Sequence, residues 1–541
     1  MAAIFLLLLV LAVFGRVIGH ELLWWDDRSN FVLDPLLNPP TWSGVAHYWG
    51  NAGRGLYIPV TYTFWAILEY VGRAYDPATR TSVPNPYLFH AASVSLHAAN
   101  VLLVFAILFR VSRQAFAAAL GAAAFAVHPV QVETVAWASG TKDLLCATGV
   151  FGAILLYLKS DDFNPKQRRW WLLAATIAYT AALFSKPVAV VAPAIVLAID
   201  LLLRRRAWRD ALPIAAAWTI IAIPVAIIAR LVQTDLSTPL SLGTRAVVVT
   251  DTIAFYLAKL FWPVNLAHDY GRSPAAVIES GSIYFTWLVP LAAGVVIFIF
   301  RRRWRGLLGG AAVFLIALAP VAGALPFMYQ YFSTVTDHYM YLSMLGLAIA
   351  IATAPLLQHR RGGRILAVGI ILIWSILSFR QAGFWQDDRT LGEHTLAVNP
   401  RSFLSLDNIA ATYAEVGDYA SAERYFRRSL AIHKNLSSTH GQMAIILRRL
   451  SRHDEAATHY LEIIRINDER PPHQQGDLSA TRILLGQYYR SVGRYREALE
   501  QFELVLQRHD LPDARAAVED ARRMLTETPP ATAPIDLQQN P

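Results

Sequence analysis

The strongest constraint in this chain is a succession of apolar runs of membrane-crossing length, separated by short loops rich in arginine. A helix needs about 20 predominantly apolar residues to cross the hydrocarbon core of a bilayer. Within lipid, only a helix or a closed barrel satisfies its own backbone polar groups. Runs near 3–20, 87–109, 115–130, 143–158, 170–184, 187–203, 211–231, 284–300, 305–323, 338–357 and 364–380 fit that description. They predict an all-α, polytopic membrane helical bundle. Two more stretches, 56–72 and 245–264, are apolar but broken by Pro, Tyr, Arg, Asp or Lys.

Loop charge sets the count and the orientation. Arg110/Arg113, Lys159/Lys166/Arg168/Arg169, Arg204/Arg205/Arg206/Arg209, Arg301/Arg302/Arg303/Arg305 and Arg360/Arg361/Arg364 should all face the cytoplasm. Eleven spans with a cytoplasmic N-terminus place every cluster inside. A twelfth span at 245–264 would move the 301–305 cluster outside, so that stretch and 56–72 are expected to lie on the outer face as interfacial helices. Met1–Gly19 has no charged leading segment and no small-residue cleavage site, so it reads as the first span and not as a cleaved signal. The expected outer segments are 21–86, 130–142, the turn at 184–187, 232–283, 323–337 and everything after 381.

Composition agrees, and it shifts along the chain. The chain is 55% hydrophobic and 16% charged, against about 25% charged in soluble domains. The deficit is confined to the part before about residue 385. A net charge of +9 does not argue for nucleic acid, because the arginines sit in topology-setting loops. One cysteine, Cys146, excludes an internal disulfide framework and a multi-cysteine metal site. Arginine far outnumbers lysine and alanine is abundant, which points to a bacterial chain.

From Arg401 the pattern becomes a 34-residue repeat. "RSFLSLDNIAATYAEVGDYASAERYFRRSLAIHK" is followed by "NLSSTHGQMAIILRRLSRHDEAATHYLEIIRIND", with Ala422/Ala456, Phe426/Tyr460 and Leu430/Ile464 in register. A third copy, "TRILLGQYYRSVGRYREALEQFELVLQ", resumes after an insertion around Pro471–Gly476. This period and pattern predict a tetratricopeptide α-solenoid of three helix pairs plus a capping helix near 512–526. The domains are therefore 1–385, the membrane part with its first outer loop at about 21–86; 386–527, the extracytoplasmic repeats; and 528–541, a disordered tail.

Polar residues at the outer ends of spans are the candidate site. "ELLWWDDRSN" puts Asp26 and Asp27 directly after the first span, where a carboxylate near low dielectric can act as general base or cap a helix. "AVHPVQVETVAWASGTKDLL" brings His128, Glu133, Lys142 and Asp143 into one outer loop. There His and Lys suit a phosphate and Glu suits sugar hydroxyls; an internal Lys142–Asp143 pair in a self-satisfied loop is the equal alternative. "FSKPV" holds Lys186 in a tight turn, as a phosphate-binding point charge or a snorkelling helix end. "STVTDHYMYLSMLG" puts Asp337, His338, Tyr339 and Tyr341 at another outer mouth, and Arg54 is a further cation of the first loop. None of these has a metal-ligand spacing, and there is no nucleotide-binding loop.

In their order, "WWDDRSNFVLDP", "YIPVTYTFWAI", "YLFHAASVSLHAANVLLVFAILFR", "FAVHPVQVETVAWASGTKDLLCA", "SKPVAVVAPA", "FYLAKLFWPVNLAHDY", "TDHYMYLSMLG" and "FWQDDRTLGEHTLAVNP", leading into the repeats, resemble the transmembrane-and-TPR-containing protein O-mannosyltransferases of the GT-C glycosyltransferase superfamily. The resemblance covers nearly the whole chain. It implies an inverting, polyprenyl-phosphate-sugar-dependent transferase in the inner (cytoplasmic) membrane, with repeats on the periplasmic side. The sugar would be mannose or a similar hexose, and the acceptors Ser/Thr hydroxyls of extracytoplasmic proteins brought by the repeats. It implies Asp26 or Asp27 as the base, undistinguished, and donor or phosphate contacts from Lys186, His128, Glu133, Arg54, Lys142, His338 and Tyr341. It implies neither a cofactor nor a metal. The chain departs from the family pattern at "LYIPV", "SKP" and "YLSM". Two other roles remain open to these residues: a GT-C transferase acting on a glycan or lipid, and a non-catalytic membrane-anchored repeat scaffold for envelope assembly.

Overall fold

The computed structural model describes residues 1–53, 55–76, 81–233, 240–470, 475–509 and 511–527. It divides into two compact units, Met1–Ser402 and Phe403–Pro541.

The first unit is helical, apart from a small antiparallel hairpin of Ala74–Asp76 and Thr81–Val83 in the first outer loop. Seven helical segments are long and apolar enough to cross a membrane: Ala2–Gly19, Pro86–Ser112, Ala138–Ser160, Pro187–Arg204, Trp208–Val232, Ile283–Phe300 and Arg361–Gly383. An eighth crossing is available if Ala115–Val127 and Pro129–Ala136, bent by 53°, act as one broken span. The remaining expected spans differ for identifiable reasons. Pro165–Ser185 is long enough, but its first turns carry Lys166, Arg168 and Arg169. Arg305–Val321 is a shorter apolar helix. The run 338–357 is broken into short pieces, with Met344–Ala352 ending ahead of Pro355. By length and apolarity alone, seven of the eleven expected spans qualify among the described residues, or eight with the bent pair.

Exposure is inverted relative to a soluble domain. Leu288–Phe300 is wholly apolar yet buries none of its residues, leaving side chains such as Phe298 and Ile299 outward, as a lipid-facing helix does. Internal packing relies on small residues that let backbones approach. At the crossing of Arg305–Leu318 with Met344–Ala352, a Cβ on Gly310 would lie 2.4 Å from the Gly346 carbonyl oxygen, and one on Gly346 would lie 2.3 Å from that of Gly310.

The predicted outer-face stretch 56–72 is the helix Pro59–Gly72. Trp65, Tyr62, Phe31 and Phe89 are buried around it, with the Phe31 and Trp65 rings edge to face at 4.9 Å. Thr61 Oγ1 donates to the Ser185 carbonyl at 2.8 Å, and Trp65 Nε1 to Thr141 Oγ1 at 3.2 Å. One helix thus ties the turn before Lys186 to the helix start that carries Lys142. The second such stretch forms the helix Leu242–Phe261.

The membrane unit extends past the residue-385 boundary read from composition. Asp388–Val398 is a helix of this unit. His394 Nε2 bonds the Leu266 carbonyl at 2.8 Å, Thr395 Oγ1 pairs with His268 Nδ1 at 2.9 Å, and Ser402 Oγ donates to Asp269 at 2.6 Å. Its polarity hid this membership: Leu391 is buried in the core of the unit, and the other contacts are mainly hydrogen bonds to a loop.

The second unit is a tetratricopeptide solenoid. Its helix pairs are Phe403–Glu415 with Tyr419–Ile432, Ser437–Arg449 with His453–Asp468, and Ser479–Ser491 with Tyr495–Leu506, followed by the capping helix Pro512–Glu527. Ala422, Ala456 and Ala498 are buried at the close approach within each pair. The turn inside each pair uses a left-handed residue: Gly417 (φ 80°), Ser451 (φ 61°) and Gly493 (φ 76°). The tail 528–541 lies outside the described residues.

Candidate functional site

The first span ends at Gly19, and the chain then passes through a loop in which the two adjacent aspartates behave differently. Asp27 is fully buried. Its Oδ2 accepts the Leu23 N–H at 3.1 Å and its Oδ1 the Ser139 N–H at 2.8 Å. Burial pushes its carboxyl up to about 7, against the lowering effect of those hydrogen bonds. Asp26 is exposed and held in the left-handed region at φ 65°. Among the described residues no hydrogen bond or ion pair engages its carboxylate. A residue without glycine's freedom adopts this backbone at a cost, which the surrounding anchors sustain. Asn30 Nδ2 donates to Ser139 Oγ at 3.1 Å, and Trp137 Nε1 to the Trp25 carbonyl at 2.8 Å. Asp27 therefore ties the loop to the 137–140 turn, and that tie turns Asp26 outward.

That turn leads into Thr141–Ser160 and places Lys142. Its ammonium lies 4.2 Å from the Trp137 ring centroid, a cation–π contact, and the residue is buried. No carboxylate lies within ion-pair distance of it among the described residues. Lys186, which caps the end of Pro165–Ser185, pairs with Asp143 at 2.6 Å and stands 5.7 Å from the Tyr339 ring. The Lys142–Asp143 pairing is thus replaced by Lys186–Asp143, and Lys142 is left as a buried cation with no ion pair among the described residues.

Glu133 and His338 form the wall beside this pair. Glu133 Oε1 accepts from His338 Nδ1 at 2.6 Å and Thr336 Oγ1 at 2.8 Å, while Oε2 accepts the Asp337 N–H at 2.9 Å. Both carboxylate oxygens thus bond the 336–338 turn, so Glu133 positions that turn. With Nδ1 engaged, the Nε2 edge of His338 is the one left for other partners. The ring lies 5.5 Å from Trp137 and 4.6 Å from Tyr339.

Two expected donor residues do not join the cluster. His128 is buried, its Nε2 bonded to the Leu260 carbonyl at 3.1 Å and its Nδ1 accepting the Val130 N–H at 3.4 Å, so it caps the bend between two helices. Tyr341 is buried, with its hydroxyl bonded to His97 Nδ1 at 2.8 Å and Asn100 Nδ2 at 3.2 Å. Arg54 lies outside the described residues. Trp137, the aromatic partner of Lys142, is not singled out in the sequence, and Tyr339, that of Lys186, is read there only as one of the aromatics at an outer mouth. The available signal was an aromatic residue next to each candidate loop, indistinguishable there from interfacial aromatics.

Models of the tetratricopeptide repeat match residues 404–440 and 435–510. A protein O-mannosyl-transferase of Caenorhabditis elegans is 23% identical over 439 residues, covering 75% of this chain and 59% of the relative. The chain thus spans less than two thirds of the length of the curated relative it matches. The tetratricopeptide domain of P58(IPK) is 11% identical and covers 77% of this chain and 95% of that one, at a TM-score of 0.24. The relative agrees with the resemblance carried by the sequence motifs, and the repeat matches agree with the solenoid.

Proposed function

We propose that this chain is a membrane glycosyltransferase that moves a hexose from a polyprenyl-phosphate donor to Ser/Thr hydroxyls of extracytoplasmic proteins. The carrying observation is Lys142: a buried ammonium on an aromatic platform, with no ion-pair partner among the described residues. A buried charge is costly unless it is paired, and a lipid-linked phosphate supplies the missing anion. The relative's printed activity supports the same class of reaction.

In this reading Asp26, whose carboxylate is unengaged among the described residues, takes the proton from the acceptor hydroxyl as that oxygen attacks the anomeric carbon. The bond from that carbon to the phosphate oxygen breaks and the electron pair leaves with the lipid phosphate. Lys142 holds the leaving charge, with Lys186 held beside it by Asp143 and the Nε2 edge of His338 within the same wall. Attack opposite the leaving group inverts the anomeric centre. A phosphate is a weak base, so a second carboxylate acting as general acid is not required, unlike the pair used in glycoside hydrolysis. The loop bearing Asp26 and the repeats are assigned to the outer, periplasmic side of the inner membrane, where acceptor proteins reach both.

The test is binding and transfer with purified protein and polyprenyl-phosphate sugars offered one at a time. Lys142→Gln is expected to weaken donor binding by about tenfold or more, the loss of one charge-assisted contact, with folding retained. Unchanged donor affinity in that variant would end the assignment.

A further inference from the structure

The chain holds two Asp-Asp-Arg motifs, Asp26 to Arg28 and Asp387 to Arg389, and the reaction proposed above uses only the first. The fold brings the two together. Arg16, in the first span, donates from Nη1 to the Phe379 carbonyl of the last at 3.4 Å, and its guanidinium lies 5.0 Å from the Phe379 ring centroid. The loop that leaves the first span therefore starts against the segment that leaves the last. There the Glu21 N–H donates to the Gln386 carbonyl at 3.0 Å.

The two aspartates of the second motif divide the work. Asp387 caps the helix Asp388–Val398, its Oδ1 accepting the Thr390 N–H at 2.7 Å. Asp388, the first residue of that helix, is buried, and its Oδ1 accepts the Trp24 N–H at 2.8 Å. An acidic residue in a first helical turn commonly serves only the helix dipole. Here the carboxylate reaches a backbone N–H 364 positions away in sequence, two residues before Asp26.

That bond closes a clamp. On one side the 137–140 turn holds the loop through Asp27 and Trp137. On the other, Asp388 holds Trp24, and the Trp25 ring packs 4.7 Å from that of His268, whose Nδ1 pairs with Thr395 of the same helix at 2.9 Å. Between them Asp26 stands at φ 65°. A non-glycine residue stays in that region only while its surroundings over-determine it. Released on one side, the backbone relaxes and carries the carboxylate with it.

We propose that Asp388 is a positioning residue for transfer: its bond to the Trp24 N–H sets where the Asp26 carboxylate stands. The inference rests on the reading of Asp26 as the base that takes the acceptor proton. Asp388 itself moves no proton. Its role needs a hydrogen-bond acceptor and not a charge, and a carboxamide oxygen of the same shape supplies one.

The test combines transfer kinetics with amide exchange on the full-length protein in detergent. Asp388→Ala should lower kcat by about 10- to 100-fold, as a small displacement of a reacting group does. Its donor KM should stay within about twofold, because Lys142 and Lys186 are held by other contacts. Asp388→Asn should transfer within about threefold of wild type, since it keeps the acceptor. Exchange over residues 22–26 should quicken in Asp388→Ala and not in Asp388→Asn. Adding Asp388→Ala to Asp26→Asn should slow transfer no further, because a residue that acts only through Asp26 then has nothing left to place. Multiplied losses in that double variant, unchanged exchange in Asp388→Ala, or an Asn variant as slow as the Ala one would overturn the positioning role. Full transfer in Asp26→Asn would instead overturn the base on which the inference rests. The exchange data do not depend on transfer, so they tell the two failures apart.

Discussion

Asp26 and Asp27 are adjacent and chemically identical, yet the fold gives them opposite surroundings. A general base must reach the proton it removes. Asp27, with both oxygens on backbone N–H groups, cannot do so without releasing the loop it holds, even though its carboxyl near 7 would otherwise suit a base. Asp26→Asn should therefore cost at least about 100-fold in transfer, the usual range for a lost general base, with an unchanged melting profile. Asp27→Ala should instead strand the Leu23 and Ser139 N–H groups and destabilise the first loop by about 2–4 kcal/mol, visible as faster amide exchange over residues 22–33. If Asp27→Ala kept full protection and lost only transfer, the roles would be reversed.

At the scale of elements, the repeats carry two local conflicts that can be relieved. Ser451 sits at φ 61° where the other two repeats use glycine, and a left-handed non-glycine residue costs about 1–2 kcal/mol. Ser451→Gly should recover roughly 0.5–1 kcal/mol, after glycine's own entropy cost, measured as slower exchange in the second helix pair. Asp407 is the other conflict. Burial raises its carboxyl from 3.8 to about 6, opposed by hydrogen bonds from Thr439 and Ser429. A group whose pKa is raised on folding contributes stability that is complete below its unfolded value, near 4, and lost as pH rises through about 6. Asp407→Asn should thus stabilise the first repeats at pH 7.5 on the order of 1–2 kcal/mol and give no gain at pH 4. His459, lowered to about 4 chiefly by burial, moves the wild type in the opposite direction on acidification. The difference between variant and wild type, not the raw pH profile, is therefore the quantity to measure.

For the whole molecule, loop charge predicts that the arginine-rich loops lie inside and the repeats outside. Cys146 is buried, so the native protein supplies a quiet background for accessibility labelling. Glu500→Cys in the repeats should react with an impermeant maleimide on intact spheroplasts, whereas Asp162→Cys in the loop beside Arg110 should react only after permeabilisation. The reverse pattern would invert the topology and remove the acceptor-side reading of the repeats.

Helix content, the solenoid and the region of the candidate site were legible in the chain because each rests on a local pattern. A 34-residue period, an apolar run and a polar residue at its outer end need no partner to be read. The span count was less secure: Lys166, Arg168 and Arg169 at one helix start, and the break ahead of Pro355, turn apolar runs into helices below the length or apolarity of a clear crossing. The membership of Asp388–Val398 in the first unit was hidden for a related reason, since hydrogen bonds to a distant loop leave no periodic trace. Which aspartate is free, that Lys186 and not Lys142 takes Asp143, and that His128 and Tyr341 serve the interior depend on contacts between residues far apart in sequence. Those contacts exist only once the helices are packed, because side-chain identity states what a group can bind and only the three-dimensional arrangement states what it has already bound.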